Sequence, residues 1–347
     1  MLGAWRGYKI CVLRLSALVL LHTCSAGAPS VSLKLAAFGR GLVQMVLSTE
    51  GSGARRLERE PDPSILQGWV TETRDVVFIR HGESTWNEIF NQGKGPGRFL
   101  WMPVRLALGI VREVMSFLSP ESIFLDSPLS SKGIQQAVEI HDALRCSVEH
   151  AELVEVVNRT NSVVCSSNLI RAVETVTIAL ADRLAETGEQ IFIRSELQEI
   201  SRNLDAVALA PPQSCPLLPA LAKAQSGAKL DFRNLYNADG NKGNKAVLGH
   251  PRHRIARFAA FCFGDDKVQG LECLRKAKST VIVAGHSLWF NTFFRMYMDK
   301  TARHDAKNRK ISNAGIVTFT LERGNVGGRM LYRIRPDTIR ILHGHFQ

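Results

Sequence analysis

The chain has 347 residues, 45% of them hydrophobic. This size and composition suit one large globular domain or two small ones, and they exclude collagen-like, wholly disordered and disulfide-dense proteins. The formal net charge is +12, so the surface should attract anions such as phosphorylated metabolites, membranes or nucleic acids. No zinc-finger spacing, RNP signature or basic region followed by heptads accompanies that charge, so specific nucleic-acid recognition is not expected.

The sequence contains seven cysteines. None of them forms a Cys-x-x-Cys pair or has the spacing of metal ligands. Removal of an N-terminal signal would leave an odd number, which disfavours a disulfide framework. We therefore predict buried free thiols and no metal site.

Residues 1–49 contain no acidic side chain, and Glu50 is the first. Three basic residues precede a short apolar run that begins at Leu15, and Ser25-Ala-Gly-Ala28 follows it. This order is typical of a secretory signal peptide, while the acid-free composition also fits a mitochondrial or plastid transit peptide. The apolar run is short for a membrane span. We predict a leader over 1–49, with the secretory pathway or the extracellular space as destination and a mitochondrion or plastid as the alternative.

Residues 50–74 are rich in Glu, Arg, Gly and Pro and lack apolar periodicity, so they are predicted to form a linker. The folded domain is predicted over 75–347, where short β-favouring apolar runs alternate with helical spacing. Strands are predicted at 75–79, 162–165, 190–193, 280–284, 315–321 and 329–334, and helices at 133–150, 169–184 and 288–298. This alternation predicts an α/β fold, a three-layer α/β/α sandwich around a mostly parallel sheet, with helical and loop insertions.

Two stretches interrupt the alternation. Residues 103–118 form an apolar helix candidate that carries Arg105, Arg112 and Glu113, and residues 204–250 show little pattern. Long insertions in α/β proteins commonly lie over the sheet end where ligands bind. The helix is predicted to pack on the domain as an accessory element. A lid over the site, or weak contact with a membrane surface through its broad apolar face, remains an alternative.

Three predicted strand ends carry side chains that suit phosphate. Arg80-His81-Gly82 follows the first strand, Arg171 opens the helix after the second, and His286 follows the strand at 280–284. The carboxyl ends of parallel strands meet at the usual ligand-binding edge of the sheet. A guanidinium fork matches phosphate oxygens, and glycine lets the backbone approach an anion closely. These three elements together predict a phosphate site.

The same motifs resemble those of the histidine phosphatase superfamily, the group that contains cofactor-dependent phosphoglycerate mutase. Asp126-Ser-Pro-Leu129-Ser-Ser-Lys-Gly133-Ile-Gln-Gln136-Ala137 is also similar to the segment that opens the first long helix of that family. The resemblance covers roughly residues 75–335. It implies that His81 attacks phosphorus, becomes phosphorylated and is then released by water, with no metal or cofactor. The side chains implied to bind the phosphoryl group are Arg80, Arg171, His286, Ser84 and Asn87.

A carboxyl group must protonate the departing oxygen. The family pattern for this acid is Leu-x-Glu after the third strand, which Leu197-Gln-Glu199 matches. Glu199 is therefore the predicted general acid. Glu196, three residues earlier on the same loop, is the alternative. Arg202 nearby is a candidate contact for the substrate.

Phosphoglycerate mutases of this family carry Glu-Arg-His-Tyr-Gly at the acid loop and Gly-Asn-Ser-Leu-Arg after the second histidine. This chain has Glu199-Ile-Ser-Arg-Asn203 and Ser287-Leu-Trp-Phe290 instead. The departures favour hydrolysis of a phosphorylated small molecule or phosphoprotein over mutase activity. A catalytically idle phosphate-binding or scaffold protein is the other alternative. It is disfavoured because all four residues central to the reaction are present: Arg80, His81, Arg171 and His286. The sequence specifies neither the substrate nor the oligomeric state.

Overall fold

The computed structural model describes residues 29–50, 61–90, 97–116, 122–145, 151–157, 161–218, 234–265 and 280–347. The predictions for residues 1–28, and for parts of the linker and of the 204–250 insertion, lie outside these ranges. Within them, no helix is long and apolar enough to cross a membrane. Three cysteines fall in these ranges, and all three are free thiols, with Cys165 and Cys262 buried as predicted.

The described residues contain eight strands, all in one sheet. They are β1 (Glu72–Arg80), β2 (Ser162–Ser167), β3 (Ile191–Arg194), β4 (Tyr236–Asn237), β5 (Thr280–Gly285), β6 (Ile316–Val326), β7 (Arg329–Ile334) and β8 (Arg340–His343). The order is β4-β3-β2-β5-β1-β6-β7, with β8 paired to β6. Every pair among β1 to β5 is parallel, and the pairs that involve β6 are antiparallel. The predicted mostly parallel sheet is confirmed.

Ten α-helices lie within the described ranges. They are α1 (Pro29–Leu47), α2 (Thr85–Phe90), α3 (Gly97–Met115), α4 (Ser131–Arg145), α5 (Ala151–Val157), α6 (Ile170–Ala179), α7 (Ala181–Thr187), α8 (Pro251–Phe261), α9 (Ser287–Tyr297) and α10 (Asp305–Asn308). The single helix predicted over 169–184 is divided at Leu180, which leaves the helical conformation between α6 and α7.

Helices cover both faces of the sheet, because the central strands are apolar on both sides. Val76 and Phe78 of β1 pack in one cluster with residues of α8 and α9. Val77 and Ile79 point the other way and pack in a second cluster with residues of α4 to α7. Successive strand residues alternate between faces, so a continuous apolar run predicts burial on both. The three-layer sandwich is the outcome.

Two parts of the N-terminal region lie within the described ranges, and both contact later parts of the chain. Helix α1 buries Ala37 in a small cluster with Val207 and Leu209, and Glu50 is buried after it. The 3₁₀ turn Pro63–Leu66 buries Leu66, and β1 begins at Glu72. Residues 29–50 and 61–74 therefore pack against the domain predicted to begin at residue 75. The buried positions of α1 include the small residues Ala37 and Gly41 and the polar residue Gln44, whereas Leu33, Phe38 and Met45 of the same helix are exposed.

Helix α3 begins and ends earlier than the predicted 103–118 helix, and it packs on the domain as expected. Gly109 lies against Ile89 of α2. The Glu113 carboxylate accepts hydrogen bonds from Ser122 Oγ at 2.8 Å and from the Ile123 N–H at 2.6 Å. Its outer face is apolar and exposed, with Met115 at 82% exposure. The lid and membrane-contact alternatives for this helix remain predictions.

Candidate active site

The two predicted site histidines lie side by side at the carboxyl edge of the sheet. Parallel pairing of β1 with β5 places Arg80 opposite Gly285, the last residues of the two strands. The residue that follows each strand is a histidine, so His81 and His286 are neighbours. The His81 N–H donates to the Gly285 carbonyl at 3.0 Å, and the His81 and His286 rings are 5.0 Å apart between centroids. Both rings are buried. The sheet register thus brings together residues 205 positions apart in the sequence.

Two buried guanidinium groups accompany the histidines. The Arg80 side chain donates to the Ile311 carbonyl. Arg171 lies in the first turn of α6, directly after β2, which is the other neighbour of β5. Its Nη1 donates to the Asp205 carbonyl at 2.8 Å, and its Nη2 lies 3.2 Å from Asp205 Oδ2. Asp205 therefore anchors one edge of the Arg171 fork.

The hydrogen bonds of His81 define its tautomer. Its Nδ1 lies 2.6 Å from the Gly82 carbonyl, which can only accept, so Nδ1 carries the proton and Nε2 carries the lone pair. The Gly82 N–H donates to Thr175 Oγ1 at 3.0 Å, and that hydroxyl donates to the Arg171 carbonyl at 2.7 Å. The chain of bonds connects the loop after β1 to the helix that carries Arg171.

Burial lowers the pKa of His81 well below its usual range, and the positive charges of Arg171 and Arg80 lower it further. The imidazole is consequently neutral at neutral pH, which is the form a nucleophilic histidine needs. Burial also lowers the pKa of Arg80, to about 10, although Glu199 opposes the shift. Arg80 therefore keeps its positive charge at neutral pH.

His286 is also neutral, because burial and then the charge of Arg171 lower its pKa well below the usual range. Its Nε2 lies 2.8 Å from Ser167 Oγ. Its Nδ1 is buried and has no hydrogen-bond partner among the residues that the structure describes. A buried polar nitrogen without a partner costs free energy unless a ligand completes it.

The Glu199 carboxyl lies close enough to Arg80 and Arg171 to interact with their charges. Its Oε1 accepts from the Ile200 N–H at 2.8 Å and from the Trp289 N–H at 3.1 Å. Burial raises the pKa of its carboxyl, against the opposing charges of Arg171 and Lys245. A carboxyl whose pKa is raised by burial can hold a proton for a leaving group.

The alternative acid, Glu196, is engaged elsewhere. Its carboxylate lies 3.3 Å from Arg194 Nε and 4.0 Å from Arg257 Nε of α8. The Arg194 guanidinium in turn lies over the ring of Phe261, 4.3 Å from its centroid. These contacts hold Glu196 in a salt-bridge network beside α8 and favour Glu199 as the acid.

The remaining predicted site residues are Ser84, Asn87 and Arg202. Ser84 Oγ accepts from the Asn87 N–H at 3.2 Å, so Ser84 caps α2 and Asn87 lies in its first turn. Arg202 is exposed and lies directly after residues 196–201, the loop that carries Glu199. The phosphate and substrate contacts of these three residues remain predictions. Among the described residues, no group of three His, Cys, Asp or Glu side chains is placed to hold a metal ion.

Sequence reasoning missed several residues that build the site. Asp126, at φ 45°, accepts from the Ile170 N–H at 2.8 Å and from the Leu209 N–H at 2.9 Å, so it joins the start of α6 to the loop that carries Asp205. Burial raises the pKa of Asp126 to about 7, against both N–H donors. Asp126 opens the quoted 126–137 motif but had no predicted role, whereas Asp205 lies in the 204–250 segment, where no sequence pattern indicated it.

No family model matches the chain, and no curated protein matches it significantly. Several solved structures are similar to it. A mycobacterial glucosyl-3-phosphoglycerate phosphatase in complex with VO3 is 16% identical, with 76% of this chain and 97% of that one covered, at a TM-score of 0.35. Phosphoglycerate mutase from Bacillus anthracis is 15% identical, with 76% and 92% covered and a TM-score of 0.35. The ecdysone phosphate phosphatase from Bombix mori, in complex with tungstate, is 14% identical, with 77% and 91% covered and a TM-score of 0.36. These TM-scores lie below 0.5, so the chemistry of the site has to be judged from the residues of this chain.

Proposed function

We propose that this chain is a metal-independent phosphomonoester hydrolase of the histidine phosphatase type, with His81 as its nucleophile. The observation that carries the proposal is the state of His81. Its Nδ1–H is held by the Gly82 carbonyl, its pKa is low, and its unprotonated Nε2 belongs to a ring surrounded by Arg80, Arg171 and His286. A neutral imidazole between two fixed cations is suited to attack a dianionic phosphate.

The reaction is a two-step displacement. The guanidinium groups of Arg80 and Arg171 bind the phosphoryl oxygens, and His81 Nε2 forms a bond to phosphorus while the ester P–O bond breaks. Glu199 gives its proton to the departing oxygen. Water then attacks phosphorus with Glu199 as the base, the N–P bond breaks, and neutral His81 and inorganic phosphate result. The Nδ1 of His286, without a protein partner, is available to the phosphoryl group.

Hydrolysis is favoured over mutase activity by the residues beside the site. Ile200 follows Glu199, and Leu288 lies two positions after His286, where the mutases of the resembled family carry Arg and Asn. Ile200 is buried and Leu288 is an exposed large apolar residue. Apolar side chains at both positions provide no donors for a substrate carboxylate. The substrate is proposed to be a phosphorylated small molecule or a phosphoprotein.

The first test is phosphate release from a panel of phosphate esters by the full chain, with EDTA present. We expect wild-type protein to release phosphate, and His81→Ala to lose about 10³-fold or more of kcat, because no other group replaces the covalent step. The matched control is His345→Ala, which removes an exposed histidine of the C-terminal segment.

The other possible outcomes indicate a different mechanism or function. Substantial turnover by folded His81→Ala contradicts the mechanism. An isomerised ester in place of free phosphate indicates a mutase. Phosphate binding without turnover of any ester indicates a binding or scaffold protein, and inhibition by EDTA that a divalent ion reverses indicates a metal-dependent enzyme.

A further inference from the structure

A buried charge cluster connects the N-terminal segment to the acid loop, residues 196–201. Glu50, which follows α1, has a side chain only 2% exposed, as has Lys245. One Glu50 oxygen lies 2.5 Å from Lys245 Nζ, and the other accepts from Arg254 Nη2. Lys245 follows β4, and Arg254 lies in the first turn of α8. One carboxylate from the N-terminal segment thus forms ion pairs with two cations of the domain.

Both cations hold the backbone of the acid loop. Lys245 Nζ donates to the Glu199 carbonyl and, at 2.7 Å, to the Ser201 carbonyl. Arg254 Nη1 donates to the Gln198 carbonyl at 2.5 Å. The backbone carbonyls of Gln198, Glu199 and Ser201 are therefore held by two cations that form ion pairs with Glu50.

Helix α1 adds direct contacts to the same region. Gln44 Nε2 donates to the Ser201 carbonyl at 3.2 Å, and Arg40 Nη2 donates to the Lys245 carbonyl at 2.6 Å. Gly41 lies against Leu204, which belongs to the 3₁₀ turn Leu204–Ala206 that also contains Asp205. The N-terminal segment consequently touches both the loop that carries Glu199 and the turn that carries Asp205, the anchor of Arg171.

Removal of the Glu50 charge would leave the two buried cations with backbone carbonyls but without the carboxylate of their ion pairs, and breaking a buried ion pair is strongly destabilising. Burial already lowers the pKa of Lys245 to about 8, against the opposing charge of Glu50. Without Glu50, Lys245 would lose its proton or move towards water. Either response releases the Glu199 and Ser201 carbonyls, and with them the position of the Glu199 carboxyl.

We infer that Glu50 is a positioning residue for the proposed general acid: through Lys245 and Arg254 it holds the loop that carries Glu199, so the N-terminal segment completes the active site. The inference rests on the proposed function. It assigns a role to a region that the sequence placed outside the domain. Because a misplaced acid matters only when the leaving group needs a proton, the dependence of rate on the leaving group distinguishes positioning from general loss of structure.

The test compares kcat/KM of the full-length Glu50→Gln variant on 4-nitrophenyl phosphate, whose leaving group needs little protonation, and on glycerol 2-phosphate, whose leaving group needs a proton. We expect the loss with glycerol 2-phosphate to exceed the loss with 4-nitrophenyl phosphate by about tenfold or more. Glu50→Asp keeps a carboxylate and should recover part of the difference.

The matched control is Glu322→Gln. Glu322 is a buried carboxylate that also pairs with two arginines, Arg333 and Arg335. It lies opposite Thr73 on β1, roughly 23 Å along the strand from Arg80 at about 3.3 Å per residue. This control should lower stability without changing the ratio of the two rates.

The inference is overturned if the ratio of kcat/KM on the two esters is unchanged in folded Glu50→Gln, or if it changes by as much in Glu322→Gln. Phosphatase activity of the wild type would in that case still support the proposed function. Absence of phosphate release by the wild type overturns the proposed function and the inference with it. If Glu50→Gln does not fold, Gln44→Met removes only the bond to the Ser201 carbonyl. A selective loss with glycerol 2-phosphate then supports the inference, and an equal loss with both esters overturns it.

Discussion

At the scale of single residues, the site combines groups whose protonation is set by burial. His81 and His286 are neutral because burial and neighbouring arginines lower their pKa values. Glu199 shifts in the other direction, because burial raises the pKa of a carboxyl. In the proposed mechanism, neutral His81 as the nucleophile and protonated Glu199 as the acid can thus coexist over one pH range.

The pH dependence of the reaction should report Glu199. The acid acts while protonated, so kcat/KM for a poor leaving group should fall as pH rises through the raised pKa of Glu199. The charged groups around it are Arg171, Lys245, Asp205 and Arg80. Protonation of His81 should limit activity only well below pH 6.5. In Glu199→Gln this fall with rising pH should disappear, with a loss of about 10²-fold or more for alkyl phosphates and a smaller loss for 4-nitrophenyl phosphate.

The control for this profile is Glu196→Gln, which removes a carboxylate held by Arg194. It should leave the shape of the pH profile unchanged. If Glu196→Gln removes the fall instead, the acid role belongs to Glu196. An equal loss by Glu199→Gln on alkyl and aryl esters would show that Glu199 does not protonate the leaving group.

At the scale of elements, the loop after β1 is held by the start of α4. A Cβ on Gly82 would lie 2.6 Å from the Gly133 carbonyl oxygen, and a Cβ on Gly133 would overlap the Glu83 carbonyl oxygen. The Glu83 N–H donates to Gln136 Oε1 at 2.8 Å, and Ser130 Oγ donates to Glu83 Oε1 at 3.2 Å. The motif at 129–137 therefore has a physical reason: it holds the segment that carries His81.

Replacement of Gly133 tests this arrangement. Gly133→Ala should displace the 82–84 loop, lower the free energy of unfolding by about 1–3 kcal/mol and reduce kcat/KM by about tenfold or more. Thermal unfolding and steady-state rates measure the two effects. Gln135→Ala, on the exposed side of the same helix, should change neither. Full activity in Gly133→Ala would show that the loop tolerates the displacement.

Sequence reasoning predicted the elements whose pattern is local. The apolar runs of β1, β2 and β5 predicted strands buried on both faces. His81 and His286, which follow β1 and β5, and Arg171, in the helix after β2, were predicted as site residues because they come after these strands. It failed where a contact joins distant segments without a pattern. Lys245 and Glu50 are 195 residues apart and Arg171 and Asp205 are 34 apart, and each pair exists only because packing places its members together. The role of α1 was missed for the same reason.

At the scale of the whole molecule, the formal charge of +12 has the sign that attracts the anionic substrate of the proposed reaction. Four cationic side chains, Lys242, Lys245, Arg254 and Arg257, line a pocket of about 230 Å³ beside the acid loop, and Glu50 forms ion pairs with Lys245 and Arg254. Clefts lined by charges of one sign concentrate field lines and raise the encounter rate with ligands of the opposite sign. Approach of a phosphate dianion should therefore depend on ionic strength.

The expected result is that kcat/KM for a dianionic ester falls by about fivefold to tenfold between 10 mM and 0.5 M ionic strength, while kcat changes little. Salt screens the field at a distance, where encounter is decided, and it acts weakly on Arg80 and Arg171, which are buried. Potassium chloride and potassium acetate should give the same slope, because screening depends on ionic strength and not on the anion. A slope that differs between the two salts would assign the effect to anions that compete for the site. No slope at all would mean that the charge of the molecule has no part in capturing the substrate.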